Sequence, residues 1–285
     1  MAPVPYADID TVFLDVGNTL ISIDFDRVAT ELTARQLPCE PAALRRAEAA
    51  ARPGYSERVF VTGVRSDRSL FHSYLSAILE HSPGDFVPPD PLTPSLAGTP
   101  MPRSAPAARS HARSLASLSA AELDELVTEL GPVLRPDGRA SALWRMVMPG
   151  VPAALERLQR QGLTLAVVSN SDGTCAQSLE EAGLLRYMNF VIDSAEVGVE
   201  KPDPRIFAIA LARCGADPRR TLYVGDLYHA DVVGARGAGL HALLLDPNGD
   251  WPPLDCDRAQ DLAAVADRLE LARASRTGTQ ERTGP

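Results

Sequence analysis

Four short segments carry residue types that could do chemistry. Asp15-Val16-Gly17-Asn18-Thr19 follows an apolar run, and a carboxylate at the end of a buried strand can serve as nucleophile and metal ligand. Ser169-Asn170 follows a second such run, where a hydroxyl and the next backbone N–H groups can seat phosphate oxygens. Lys201-Pro202-Asp203-Pro204 opens a helical pattern, and Lys201 could balance a phosphoryl group beside carboxylates. Its position carries weight because it is the single lysine against 27 arginines. In Gly225-Asp226-Leu227-Tyr228-His229-Ala230-Asp231, two carboxylates five residues apart can bring one to a cation and the other to its support. Taken singly, each segment also reads as ordinary turn, helix-cap or solvated-loop chemistry.

These segments need elements to position them. Short β-branched runs at 11–16, 163–169, 190–193, 221–226 and 241–246 alternate with helical patterns at 151–161, 174–183, 204–214 and 230–238. That alternation predicts a doubly wound parallel sheet, whose ligands bind beyond the carboxyl ends of its strands. The first two strands are separated by about 147 residues, with helical patterns at 27–36, 41–51, 68–80 and 120–130 and no clear strand. The interval therefore reads as an inserted helical cap with Phe71, Leu75, Ile78 and Leu79 as one apolar stripe. The expected division is a core at 1–22 and 148–272 and a cap at 23–147. Residues 82–119, rich in Pro, Ser and Ala and including the PxxP spacing at Pro91 and Pro94, are expected to be disordered, as is the tail at 273–285.

Composition narrows the partners. A net charge of −9 argues against nucleic acid or an anionic membrane surface, so an anionic substrate needs a local site. No apolar run approaches the ~18 residues of a membrane helix. Cys39, Cys175, Cys214 and Cys256 form no CxxC pair and read as reduced thiols, and the N-terminus lacks a signal-peptide pattern. A cytoplasmic protein is expected.

In this order, each at the end of its own strand, the four segments resemble the signature set of the haloacid dehalogenase-like (HAD) hydrolase superfamily. The resemblance spans 10–246 apart from the insertion, whose position matches the phosphatase-like branch with a helical cap after the first motif. It implies a Rossmann-like core, a small phosphorylated substrate and Mg²⁺ as cofactor. It makes Asp15 the nucleophile and a metal ligand, with the Gly17 carbonyl and Asp226 as further ligands. Ser169, Asn170 and Lys201 would hold the phosphoryl group, and Asp231 would support the metal site directly or through Lys201.

One position departs from the pattern. Phosphatases of the family carry a second Asp two residues after the nucleophile, which protonates the leaving group; here that residue is Gly17. His229 is the nearest titratable substitute by motif position, and Asp24 follows the first strand. Tyr55, Arg58 and Arg65 are cap residues that could face the site. Gly17→Asp should restore acid catalysis, provided the loop accepts a side chain. Two other readings stay open: a degenerate phosphate- or partner-binding protein, and a 2-haloacid dehalogenase, whose halide leaving group needs no acid. A cap without lysine argues against Schiff-base phosphonate chemistry.

Overall fold

The computed structural model describes residues 3–62, 67–82, 113–136, 139 and 142–281. The five expected runs and one further short strand form a six-stranded sheet in the order β5 (Phe190–Asp193), β4 (Thr164–Ser169), β1 (Thr11–Leu14), β6 (Thr221–Gly225), β7 (His241–Leu245) and β8 (Asp257–Ala259). Every pairing is parallel. Successive strands build outward from β1 on one side and then on the other, so the direction of winding reverses at β1. Leu14 stands opposite both Val167 and Val224, which brings the carboxyl ends of β1, β4 and β6 together.

Strand alternation divides the core into two layers. Val12, Leu14, Val167 and Val224 pack with Leu155 and Leu158 of α5 (Val151–Arg160), Leu179 of α6 (Cys175–Glu181) and Leu269 of α10 (Leu262–Glu281). On the opposite face, Phe13, Val168, Tyr223 and Leu244 pack with Ile206 and Phe207 of α8 (Pro204–Cys214). Helices thus cover both faces, as near-continuous apolar strands require. Two short helices, α7 (Ser194–Val197) and α9 (Gly234–Gly237), follow β5 and the turn after β6.

Four helices between β1 and β4 share a third apolar cluster. They are α1 (Phe25–Ala34), α2 (Pro41–Thr62), α3 (Asp67–Glu80) and α4 (Ala120–Leu134), packed through Leu32, Leu44, Leu75, Ile78 and Leu130. Leu75, Ile78 and Leu79 are buried in this cluster as the stripe anticipated, while Phe71 is only partly buried at its edge. Each such burial stabilises by about 1.5–3 kcal/mol relative to exposure.

Several expectations need correction. The interval between β1 and β4 does hold strands: β2 (Ile21–Ile23) and β3 (Trp144–Val147) form an antiparallel ribbon. They are three and four residues long with β3 largely exposed, too short for a legible alternation. α2 continues past Pro53, since Ser56 and Val59 are buried by tertiary packing that offsets the lost N–H bond. Residues 113–119 are ordered: Leu115 is buried, and Ser119 and Glu122 form a capping box that starts α4. The rest of the Pro-rich stretch, with Pro91 and Pro94, lies outside the described residues. Most of the tail expected to be disordered is helical, as α10 runs to Glu281. Arg273 holds it by donating to the Gln161 carbonyl (2.7 Å) and the Ile9 carbonyl, and Arg276 pairs with Asp8.

Candidate active site

Asp15 lies one residue beyond β1, and its N–H still bonds to the Val224 carbonyl (2.9 Å), so the sheet fixes it. Its buried carboxylate receives two donors on one oxygen: Ser169 Oγ (2.8 Å) and Lys201 Nζ (2.7 Å) both donate to Oδ1. Lys201 also donates to Asp231 Oδ1 (2.7 Å) and to the Tyr223 hydroxyl (2.8 Å), which uses all three of its protons. Tyr223 in turn donates to the Val168 carbonyl (2.7 Å). Burial pulls the Lys201 ammonium toward neutrality, but Asp15 and Asp231 outweigh it and hold the group charged, above its ordinary range.

Backbone geometry positions these groups. Asn170 clamps Lys201: its Oδ1 accepts from the Lys201 N–H (2.7 Å) and its Nδ2 donates to the Lys201 carbonyl (3.0 Å). Its amide is thus engaged in holding the lysine, while the residue itself lines the cavity over the site. At the end of β5, Asp193 accepts from the N–H groups of Gly173 (3.0 Å) and Cys175 (3.1 Å), ordering the loop after Ser169. After β6 the chain makes a π-helical turn at Tyr228–Val233, and Asp231 Oδ2 accepts from the Leu227 N–H (2.8 Å). A Cβ on Gly225 would lie 2.3 Å from that same Oδ2, so only glycine allows the carboxylate to fold back there.

Asp226 is tied to the helical bundle. Its Oδ2 accepts from Asn18 Nδ2 (3.1 Å) and lies 3.3 Å from Arg52 Nε. Arg52 forms a forked pair with Glu48, Nε to Oε1 at 2.8 Å and Nη2 to Oε2 at 2.6 Å. Tyr74 of α3 donates to Glu48 Oε1 (2.6 Å), and Asn18 also donates there (2.9 Å). All five side chains are buried. Burial first, then the charges of Asp15, Asp231 and Glu48, push the Asp226 carboxyl up against the opposing pull of Arg52.

A cavity of about 930 Å³ opens over these strand ends. Asp15, Gly17, Ser169, Lys201 and Asp226 line it from the sheet, and Tyr55, Phe71, Tyr74, Arg135 and Trp144 line it from the insertion. The Arg135 guanidinium stacks on Phe71 at 4.8 Å. The suggested acids lie elsewhere. His229 Nδ1 is bonded to Ser56 Oγ (3.0 Å) against α2, and the residue does not line the cavity. Asp24 caps α1 by accepting from the Arg27 N–H (3.0 Å). Arg58 pairs loosely with Glu80 (3.8 Å), and Arg65 lies outside the described residues. Gly17 is packed against Trp144: a Cβ there would come within 3.1 Å of the indole ring. The indole thus fills part of the space a second carboxylate would need.

Among the described residues, Asp15, Asp226 and Asp231 place carboxylate oxygens within 4.8 Å of one another. Both oxygens of Asp231 are engaged, whereas Asp15 Oδ2 and Asp226 Oδ1 receive no hydrogen bond from the described residues. With Glu48, Arg52 and Lys201, the buried cluster holds four carboxylates and two cations. With every carboxylate counted as ionised, its formal charge of −2 is what one divalent cation would offset, and hard oxygen donors suit Mg²⁺.

A reversing parallel sheet with a buried carboxylate at its switch point defines an α/β protein with its ligand site beyond the strand ends. The chain belongs to the haloacid dehalogenase-like hydrolases, whose family model matches residues 9–239. It is 37% identical over 121 residues to haloacid dehalogenase-like hydrolase domain-containing protein 3 of Bos taurus, covering 42% of this chain and 48% of that protein. It is 40% identical over 124 residues to a phosphoserine phosphatase of Thermus thermophilus, covering 43% and 49% respectively. The matches therefore span about half the length of these relatives. The fold is similar to that of the magnesium-bound HAD-hydrolase YfnB of Bacillus subtilis, with a TM-score of 0.55 at 17% identity over 92% of this chain and 98% of that one. No helix among the described residues is long and apolar enough to cross a membrane.

Motif reading missed Asn18, Glu48, Arg52, Tyr74, Trp144, Asp193 and Tyr223. Glu48 and Arg52 did carry a signal, an i, i+4 pair, but that spacing ordinarily marks an exposed helix face.

Proposed function

We propose that this hydrolase is a Mg²⁺-dependent phosphatase that passes the phosphoryl group of a small phosphorylated metabolite to Asp15 and then to water. The observation that carries the reading is Asp15 itself. One of its oxygens is held by Ser169 and Lys201, and the other is unengaged beside the cavity. The phosphatase names among the relatives support it.

Asp15, Asp226 and the Gly17 main-chain carbonyl would hold Mg²⁺, which when bound offsets the repulsion between an anionic nucleophile and an anionic phosphate. Lys201 adds a fixed positive charge on the same side, and Asp231 and Asn170 keep it in place. Attack by Asp15 forms a carboxylate–phosphorus bond as the ester oxygen departs. Water then cleaves the acyl phosphate and restores Asp15. Tyr55, on the facing wall, supplies the leaving oxygen's proton in place of the missing carboxylate. Burial, with the charge of Asp226, pushes its hydroxyl up to about 12, which leaves it a weaker acid than an ordinary tyrosine, and the water that cleaves the acyl phosphate returns its proton. The insertion acts as a cap whose aromatic wall selects the organic part of the substrate.

Phosphate release from a panel of phosphate esters, with and without Mg²⁺, tests this reading. Release should require the metal and fall at least ~10³-fold in Asp15→Asn. Binding of Mg²⁺ and phosphate without turnover on any ester would instead indicate a binding protein.

A further inference from the structure

The Arg52 guanidinium is a third cation at a site that already holds Lys201 and would hold a metal. It is buried, and it touches a carboxylate assigned above as a metal ligand. Glu48 holds it through two short bonds, and Asn18 and Tyr74 bond to the same Glu48 oxygen. The position of Arg52 is therefore set by α2, α3 and the loop after β1 together, and is not left to a flexible side chain. Arg52 does not line the cavity, so it stands behind Asp226 and away from the substrate.

We infer that Arg52 is a positioning residue that acts as a built-in counter-ion for Asp226, competing with the divalent cation and setting how tightly the acidic cluster binds it. The inference rests on the metal reading above. Without a metal, Arg52 offsets part of the charge crowded among Asp15, Asp226 and Asp231. A cation bound at Asp226 meets the positive guanidinium as a like charge and weakens its hold on Oδ2. Coupling is reciprocal, so whatever seats α2 more firmly on Asp226 lowers metal affinity, and bound metal loosens α2.

The sign of the effect separates this role from a structural one. If Arg52 merely braces Asp226, removing it disorders a ligand and weakens Mg²⁺ binding. If it competes, removing it strengthens binding. Calorimetric titration of Mg²⁺ into the full chain should show Arg52→Met binding roughly fivefold or more tighter than wild type. Arg52→Lys, which keeps the charge, should remain near the wild-type value. Should Arg52→Met fail to fold, Arg52→Gln removes the charge while keeping a donor for Glu48, and the same tightening is expected. Unchanged or weaker binding in the neutral variants overturns the inference. If Asp226→Asn meanwhile abolishes wild-type binding, the metal reading survives alone. A wild-type chain that binds no Mg²⁺ removes both.

Discussion

Gly17 is a steric matter more than a conformational one. Its φ lies outside the left-handed region, so the backbone would accept a side chain, but the Trp144 ring stands 3.1 Å from where its Cβ would be. Trp144 is in turn stacked on Tyr74, with ring centroids 5.7 Å apart, so a side chain at Gly17 must disturb that stack. Gly17→Asp alone should therefore cost about 1–3 kcal/mol in urea denaturation and bring no gain in turnover. Combined with Trp144→Leu, the same carboxylate should speed hydrolysis of esters with poor leaving groups and leave nitrophenyl esters unchanged. Tyr55→Phe should do the reverse, slowing poor leaving groups by up to ~10²-fold with little effect on good ones. Equal slowing across the leaving-group series would remove Tyr55 from the role. Asp15, Ser169 and Asp226 were legible because each stands at or one residue beyond a strand end, Lys201 because it is the single lysine, and Asp231 by its spacing from Asp226. Arg52, Glu48 and Trp144 were not, because helix and ribbon residues reach the site only through the packing of the insertion.

At the scale of elements, legibility followed local pattern. β4, β6 and β7 announce themselves as apolar runs of five or six residues buried on both faces, while β2, β3 and β8 are only three or four residues long. The end of α10 is a different case. Its last turns lack an apolar stripe, and the stretch was held to be disordered because polar composition cannot pay the ordering entropy. The structure answers with cation-to-carbonyl bonds from Arg273 to Gln161 and Ile9, which no periodicity encodes. Arg273→Ala should accordingly lower stability by about 2 kcal/mol in urea denaturation. A loss below the error of the fit would mean that the helix end is not fastened by these bonds.

For the whole molecule, the sheet and the insertion share a buried charged cluster. The sheet contributes Asp15, Ser169, Lys201, Asp226 and Asp231, and the insertion contributes Glu48, Arg52 and Tyr74. Crowding these carboxylates together is costly until a cation arrives, which is why burial and neighbouring charge push Asp226 up. Mg²⁺ should therefore raise the melting temperature of the wild-type chain, by linkage of binding to folding, and should not raise that of Asp226→Asn. A comparable rise in both would place the ion elsewhere. The central claim is that Asp15 carries the phosphoryl group, and acid-quenching the enzyme during turnover followed by peptide mapping tests it directly. The account predicts a phosphorylated, hydroxylamine-labile Asp15 peptide that is absent in Asp15→Asn. Steady phosphate release with no modification at Asp15, or equal release by Asp15→Asn, would contradict it.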